Sequence, residues 1–207
     1  MIMPSHSAED LGVSRETMDD LAIYSEMVKK WNPAINLVSK ASVGDLFGRH
    51  IVDSLQLRSL APPMVERWVD LGSGGGFPGL VVAIQAKHGA GIGEVVLVEA
   101  DQRKSIFLTE VVRRLALPAR IVRARIERAD PLEADVLSAR ALAPLIDLCA
   151  FAKRHMKMNG VALFPKGERY AEEVDTAKQR WHFAVDVNPS KTEMSSAVLR
   201  LKEILYV

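Results

Sequence analysis

Residues 68–79 read WVDLGSGGGFPG: a short apolar run, an aspartate, and then five glycines within eight residues. Residues 68–71 read as a strand, and Pro78 suits the opening turn of a helix behind the loop. A glycine-dense turn between strand and helix is backbone that must bend sharply or let a ligand come close. Downstream, EVVLVE at 94–99 is apolar on both faces, as a buried parallel strand is. Residues 102–116 set Ile106, Phe107, Val111 and Leu115 on one side of a helix. Short strands are predicted near 120–123 and 135–138, then a helix at 144–157 stopped by Asn159-Gly160, and a strand at 161–164. A polar helix around 168–180 precedes two strand-like runs, 181–187 and 198–207, with no helix between them. This alternation predicts an α/β fold, a mostly parallel doubly wound sheet with a C-terminal antiparallel strand. Its ligand should lie beyond the carboxyl ends of the strands, beside the first one.

Upstream of the loop the texture is helical. Ser14 can cap a helix that runs to about Trp31, with Met18, Leu21, Tyr24, Val28 and Trp31 at spacings of three and four. Asn32-Pro33 reads as its stop. A second helical pattern carries Leu46, Phe47, Ile51 and Leu55 and ends before Pro62-Pro63. The reading is an N-terminal helical appendage over 1–64 and a ligand-binding domain over 65–207.

Composition sets limits. A chain of 207 residues with 48% hydrophobic and 26% charged residues fits one medium domain with a small addition. A net charge of +1 gives no global field toward nucleic acid or membrane, so any basic surface must be local. The single cysteine, Cys149, sits in an apolar helical pattern and reads as core. The N-terminus has neither the basic start nor the apolar stretch of a secretory signal, and no window reaches about 18 consecutive apolar residues. A cytoplasmic protein is expected, with no membrane partner. Histidine and cysteine occur at no ligand spacing, so no metal is expected.

The ligand of the loop can be argued from its charge. Gly74, Gly76 and Gly79 satisfy the dinucleotide pattern G-x-G-x-x-G, a weak signal in so glycine-rich a stretch. Asp70 at the loop's base would repel a pyrophosphate at short range. Counted from Gly72, the run Gly72-Ser73-Gly74-Gly75-Gly76 has the G-x-G-x-G spacing used for S-adenosylmethionine, whose ammonium and sulfonium an acidic base favours. Glu99 ends the second strand, where a carboxylate can accept from ribose hydroxyls; this serves either cofactor. The plainer alternative has Asp70 and Glu99 merely capping the helices that follow.

Several segments together resemble the RsmG (GidB) family of methyltransferases. They are KWNPAINLVS, RHIVDSL at 49–55, VDLGSGGGFPG, VEADQRKSIFL at 98–108, ARIE at 124–127, SARAL at 138–142 and FPKG at 164–167. The resemblance implies a Rossmann-like class I methyltransferase that methylates N7 of a guanine in small-subunit ribosomal RNA. It also implies cofactor contacts from Gly72, Phe77, Ile126, Glu127 and Arg140. It lapses at Ser195-Ser196-Ala197, where many members carry an arginine-histidine pair. Guanine N7 has a lone pair free at neutral pH, so no general base is expected, and Arg140 is assigned at most an orienting role. Local basic charge is at hand: residues 102–128 hold Arg103, Lys104, Arg113, Arg114, Arg120, Arg123, Arg125 and Arg128 against Glu110 and Glu127. Arg125, next to the cofactor segment, is the first candidate for RNA, followed by Arg49, His50 and Lys166. The competing readings are an NAD-dependent oxidoreductase and a non-catalytic RNA-binding module of the same fold.

Overall fold

A computed structural model describes residues 7–207, without the side chain of Lys40. The part of the secretory-signal reading that rests on residues 1–6 lies outside the described residues. Seven strands form one sheet: β1 (Val65–Leu71), β2 (Ile92–Val98), β3 (Ala119–Val122), β4 (Ala134–Ala139), β5 (Met156–Lys166), β6 (Trp181–Pro189) and β7 (Ala197–Tyr206). Their order is β3-β2-β1-β4-β5-β7-β6. Only β7 runs against its neighbours. The order reverses between β1 and β4, which pair in parallel, so the ends of these two strands open the crevice where such sheets bind ligands.

Alternation along each strand assigns its side chains to two faces. On one face Trp68, Val95, Leu97 and Val136 pack with α2 (Arg15–Ile35), α6 (Gly79–Lys87) and α7 (Gln102–Leu115). On the other, Val69, Leu71, Val96 and Leu137 pack with α8 (Leu145–His155) and α9 (Tyr170–Ala177). The N-terminal helices share the first of these buried clusters: Leu21, Tyr24 and Val28 belong to it along with Trp68, Leu80 and Ile84. Short helices complete that end of the chain: α1 (Ala8–Leu11), α3 (Lys40–Val43), α4 (Asp53–Leu55) and α5 (Leu57–Leu60), with a wide π turn at Phe47–Val52.

Three local expectations need correction. Ser14 caps α2 as expected, its Oγ accepting from the Thr17 amide at 3.1 Å, yet Pro33 does not stop the helix, which continues to Ile35. A proline this near the end removes only one N–H. Asn32 steadies the exit: its carbonyl accepts from Asn36, which adopts the left-handed conformation, and its Oδ1 accepts from the Val38 amide at 2.9 Å. The second helical pattern is broken into short pieces around the π turn. Finally, Asn159-Gly160 lies inside β5, because α8 already ends at His155 and Met156 is extended. Ala134 pairs with Met156 and Val136 with Val161, so one residue on β4 faces four on β5, a bulge. Gly160 is needed there because a Cβ would stand 2.9 Å from the Ala134 carbonyl oxygen.

Candidate active site

The glycine loop is held from beneath by a relay of buried polar groups. Asp70 and Ser138 are register partners on β1 and β4, so their side chains leave the same face as neighbours. Trp68 Nε1 donates to Ser138 Oγ at 2.9 Å, and Ser138 Oγ donates to Asp70 Oδ1 at 2.7 Å. The other Asp70 oxygen accepts from the Gly79 amide at 3.3 Å. Asp70 is 0% exposed. Burial pushes its carboxyl up to about 6 against the pull of Ser138, Ser73 and Gly79 hydrogen bonds. Asp70 therefore braces the loop from below instead of facing a ligand across open space. Its bond to Gly79 occupies the first amide of α6, the group a pyrophosphate would use at a helix N-terminus.

Above this floor the backbone takes left-handed turns that glycine permits: φ is +64° at Gly72 and +55° at Gly74. Ser73 N donates to the Val98 carbonyl at 3.0 Å, which ties the loop to the end of β2. From the opposite side Tyr24 on α2 donates its hydroxyl to the Gly75 carbonyl at 2.6 Å. A Cβ on Gly79 would come within 2.6 Å of Asp70 Oδ2 and 2.3 Å of Leu97, so the loop's last glycine is set by close packing.

Glu99 follows β2 and joins the loop to the next helix. Its Oε2 accepts from the Gly74 amide at 2.8 Å and its Oε1 from the Asp101 amide at 2.7 Å. A carboxylate can accept about four hydrogen bonds, so lone pairs remain for a diol. Asp101 caps α7 through the Arg103 and Lys104 amides. Ile126 and Glu127 form a single 3-10 turn after β3, with Ile126 9% exposed and Glu127 exposed. That turn is clamped from the end of α8: His155 Nε2 lies 2.9 Å from the Ile126 carbonyl, and Arg154 donates to the Ala129 carbonyl at 2.7 Å. The residues present suit a cationic nucleoside: a left-handed glycine cradle, a carboxylate with spare acceptors, and an apolar side chain beside a polar one.

On the far side of the switch point lies a groove of about 1440 Å³, bordered by the π turn, the segments after β4 and β5, and the β6–β7 turn. Arg140, just past β4, stands where the two regions meet. Its Nη1 bonds Asp53 Oδ2 at 3.3 Å and the Arg49 carbonyl at 3.4 Å, and its Nη2 donates to His50 Nδ1. The guanidinium lies 5.4 Å from the centre of the Phe77 ring, and the His50 ring stacks on that same ring at 5.0 Å. His50 and Asp53, one turn apart in sequence, thus both pair with Arg140. Burial first, then the nearby Arg140 and Arg49 charges, pull His50 down to about 4, so its imidazole is neutral at pH 7. Leu142 overlies the loop, with its Cδ1 2.6 Å from where a Gly72 Cβ would stand.

The RNA candidates separate into different settings. Arg49 is exposed on the groove wall, 4.0 Å from Asp45. Lys166 also lines the groove, but its ammonium is tied to Glu173 at 2.7 Å and to the Ala143 carbonyl at 2.8 Å, which supports the segment after β4. Arg125 is exposed and stands apart from the groove, at the turn that carries Ile126. Of the basic stretch, Arg113 pairs with Glu110 and Arg120 with Glu94. Ser196 and Ala197, where the family resemblance lapses, line the groove's rim. Cys149 is core, with burial pushing its thiol up to about 12. Sequence reasoning missed Trp68, Ser138, Tyr24 and His155; a serine in the apolar second half of β4 was the one available signal. Among the described residues no helix is long and apolar enough to cross a membrane, and no group of three His, Cys, Asp or Glu side chains could hold a metal.

This sheet order, with an acid-braced glycine loop after β1 and one reversed strand, defines a Rossmann-like methyltransferase fold. Solved structures superpose on it. A ribosomal protein L11 methylase from Lactobacillus delbrueckii subsp. bulgaricus does so with a TM-score of 0.58 at 15% identity, over 75% of this chain and 79% of that one. MtNAS in complex with S-adenosylmethionine gives 0.60 at 17% identity, over 95% and 80% of the two chains. Sequence narrows the class. Residues 17–199 match the model of the GidB family, rRNA small subunit methyltransferase G, and the chain belongs to that family. The ribosomal RNA small subunit methyltransferase G of Ruegeria pomeroyi is 47% identical over 100% of both chains. The protein of the same name from Rhodospirillum centenum is 47% identical over 97% of this chain and 93% of its own.

Proposed function

We propose that this protein transfers a methyl group from S-adenosylmethionine to N7 of a guanine in small-subunit ribosomal RNA, in the cytoplasm, with that RNA or the small ribosomal subunit as partner. The observation that carries the cofactor reading is Asp70's hold on the Gly79 amide. It puts a carboxylate on the helix-start amide that a dinucleotide's phosphates would use, under a loop that suits a phosphate-free cation. Gly72 and Gly74 would line the cofactor, Glu99 would take the ribose hydroxyls, and Ile126 with Glu127 would cover the adenine. Arg140 lines the groove with Phe77 packed against its guanidinium, and the two would meet the methionine end.

Bound there, S-adenosylmethionine supplies an electrophilic methyl group on its sulfonium. Guanine N7 already offers a lone pair, so the protein needs no residue to remove a proton. Its contribution is to hold the base in line and exclude competing approaches, which in general supplies about 7–11 kcal/mol for well-oriented reactants. Arg49 on the groove wall and Arg125 beside the cofactor turn offer phosphate contacts at two separate points.

The test is direct. Small subunits from cells lacking the protein are incubated with the purified enzyme and methyl-labelled S-adenosylmethionine, and the RNA is digested and mapped. One 7-methylguanosine is expected. Cofactor binding without label in RNA would favour the non-catalytic binding module instead.

A further inference from the structure

One buried polar atom beside the groove is left without a partner. His50 Nδ1 accepts a hydrogen bond from Arg140, and a guanidinium can only donate. The ring's single proton must therefore sit on Nε2. Among the described residues that Nε2–H is buried and meets no acceptor. A buried donor left unsatisfied costs about 1–3 kcal/mol, so it calls for an explanation, and a partner that arrives is one.

Its location narrows what arrives. His50 lies in the wide turn Phe47–Val52, an irregularity that in helices often marks a functional site. Its ring stacks on Phe77, which leaves the glycine loop, and the residue lines the groove together with Asp53 and Arg140. The residue thus stands at the junction of the proposed cofactor seat and the proposed substrate groove, with Nε2 itself covered, so docking of a base must open the lining over it. The proposed reaction places there the Hoogsteen edge of guanine, which carries two acceptors, N7 and O6. N7 must keep its lone pair for the methyl group. O6 is the acceptor that remains.

Building on the proposed guanine-N7 activity, we propose that His50 reads the target base, donating from Nε2 to guanine O6. Adenine presents an N6 amino group at the same position, so the same N–H would face a donor and reject it. The tautomer is fixed from behind by Arg140, which makes Arg140 a positioning residue for the base in addition to any cofactor contact. At neutral pH the imidazole stays uncharged, which keeps this arrangement in one protonation state.

The experiment is a cycle of two deletions. Small-subunit RNA is assembled by splinted ligation with guanine or 2-aminopurine, the same ring without O6, at the mapped target. Each is methylated by wild type, His50→Phe and His50→Gln. The phenylalanine keeps the stack on Phe77, and the glutamine restores an N–H donor and an acceptor for Arg140. Thermal unfolding of each variant checks the fold. On guanine, His50→Phe should lower kcat/KM for RNA about tenfold to a hundredfold, the range for one lost base contact. KM for S-adenosylmethionine should stay within about twofold, and His50→Gln should recover part of the loss. The decisive expectation is non-additivity: His50→Phe should treat guanine and 2-aminopurine alike. Multiplying losses would overturn the proposal, as would a raised cofactor KM with unchanged turnover of RNA, which would assign Nε2 to the methionine carboxylate. Either result leaves the guanine-N7 activity standing. Methylation of a different atom by wild type would remove both.

Discussion

The two halves of the crevice are made of different material. On the β1–β2 side the proposed ligand surface is backbone: left-handed glycines, amides held by Glu99, and a carboxylate floor sealed from water. On the β4–β5 side it is side chains, with Arg140, His50, Asp53 and Lys166 paired across loops that come from distant parts of the sequence. Backbone surfaces tolerate almost no substitution but need few particular residues. Side-chain surfaces can be retuned one residue at a time. A conserved chemistry can thus sit beside an adjustable substrate site.

The comparison is broken most severely at the loop. Gly74→Asp should leave the fold intact, because a Cβ there meets only the Gly72 carbonyl oxygen at 3.7 Å and aspartate tolerates a φ of +55° better than most residues. It fills the backbone approach surface beside Glu99 with a side chain. Affinity for S-adenosylmethionine should fall about a hundredfold, or about 2.7 kcal/mol, by calorimetry; unchanged affinity would contradict the loop assignment. Gly79→Ala should do the opposite kind of damage. Its methyl group collides with Asp70 and Leu97, and urea unfolding should show about 1–3 kcal/mol of lost stability.

Acid separates the halves by sign. Asp70 on the backbone side is raised from 3.8 to about 6, so its stabilising effect is present at low pH and is lost as pH rises through that window. His50 on the side-chain side is lowered from 6.5 to about 4, so its effect is present above pH 6.5 and is lost as pH falls toward 4. Between pH 6 and 4 the two oppose each other. Asp70→Asn removes one of them, and its urea midpoint should drop more steeply than wild type on acidification from pH 6.5 to 4.5. Parallel curves would show that Asp70 does not take up a proton in this range.

The smallest effect is expected at the periphery. Arg125→Ala should weaken RNA binding severalfold, lower the slope of log K against log salt by about one, and leave the cofactor constant alone. An equal loss of cofactor affinity would place Arg125 in the backbone half.

These halves also differ in how far they could be read from the sequence. Asp70, the glycines and Glu99 stand within one strand–loop–helix unit and the end of the next strand, so local pattern reveals them. The Ser138–Asp70 bond spans 68 positions, Tyr24–Gly75 spans 51 and Arg140–His50 spans 90. Such pairs depend on which strands become neighbours and in which register, and no local periodicity encodes that. His50 and Asp53 show the consequence: they stand three positions apart, and a residue from beyond β4 takes both. The persistence of α2 past Pro33 has a different origin, since Asn32 compensates through a contact to Val38 that lies after the helix.

Ser138 also imposes an order on events while the chain is being synthesised. The helix bearing Tyr24 leaves the ribosome first and the glycine turn next, but the hydroxyl that steadies Asp70 lies 68 positions beyond that aspartate. A nascent or prematurely ended chain that stops short of β4 displays the full glycine signature with its aspartate held on the Gly79 side alone. Competence to hold a ligand arrives late in translation, well after the residues that advertise it.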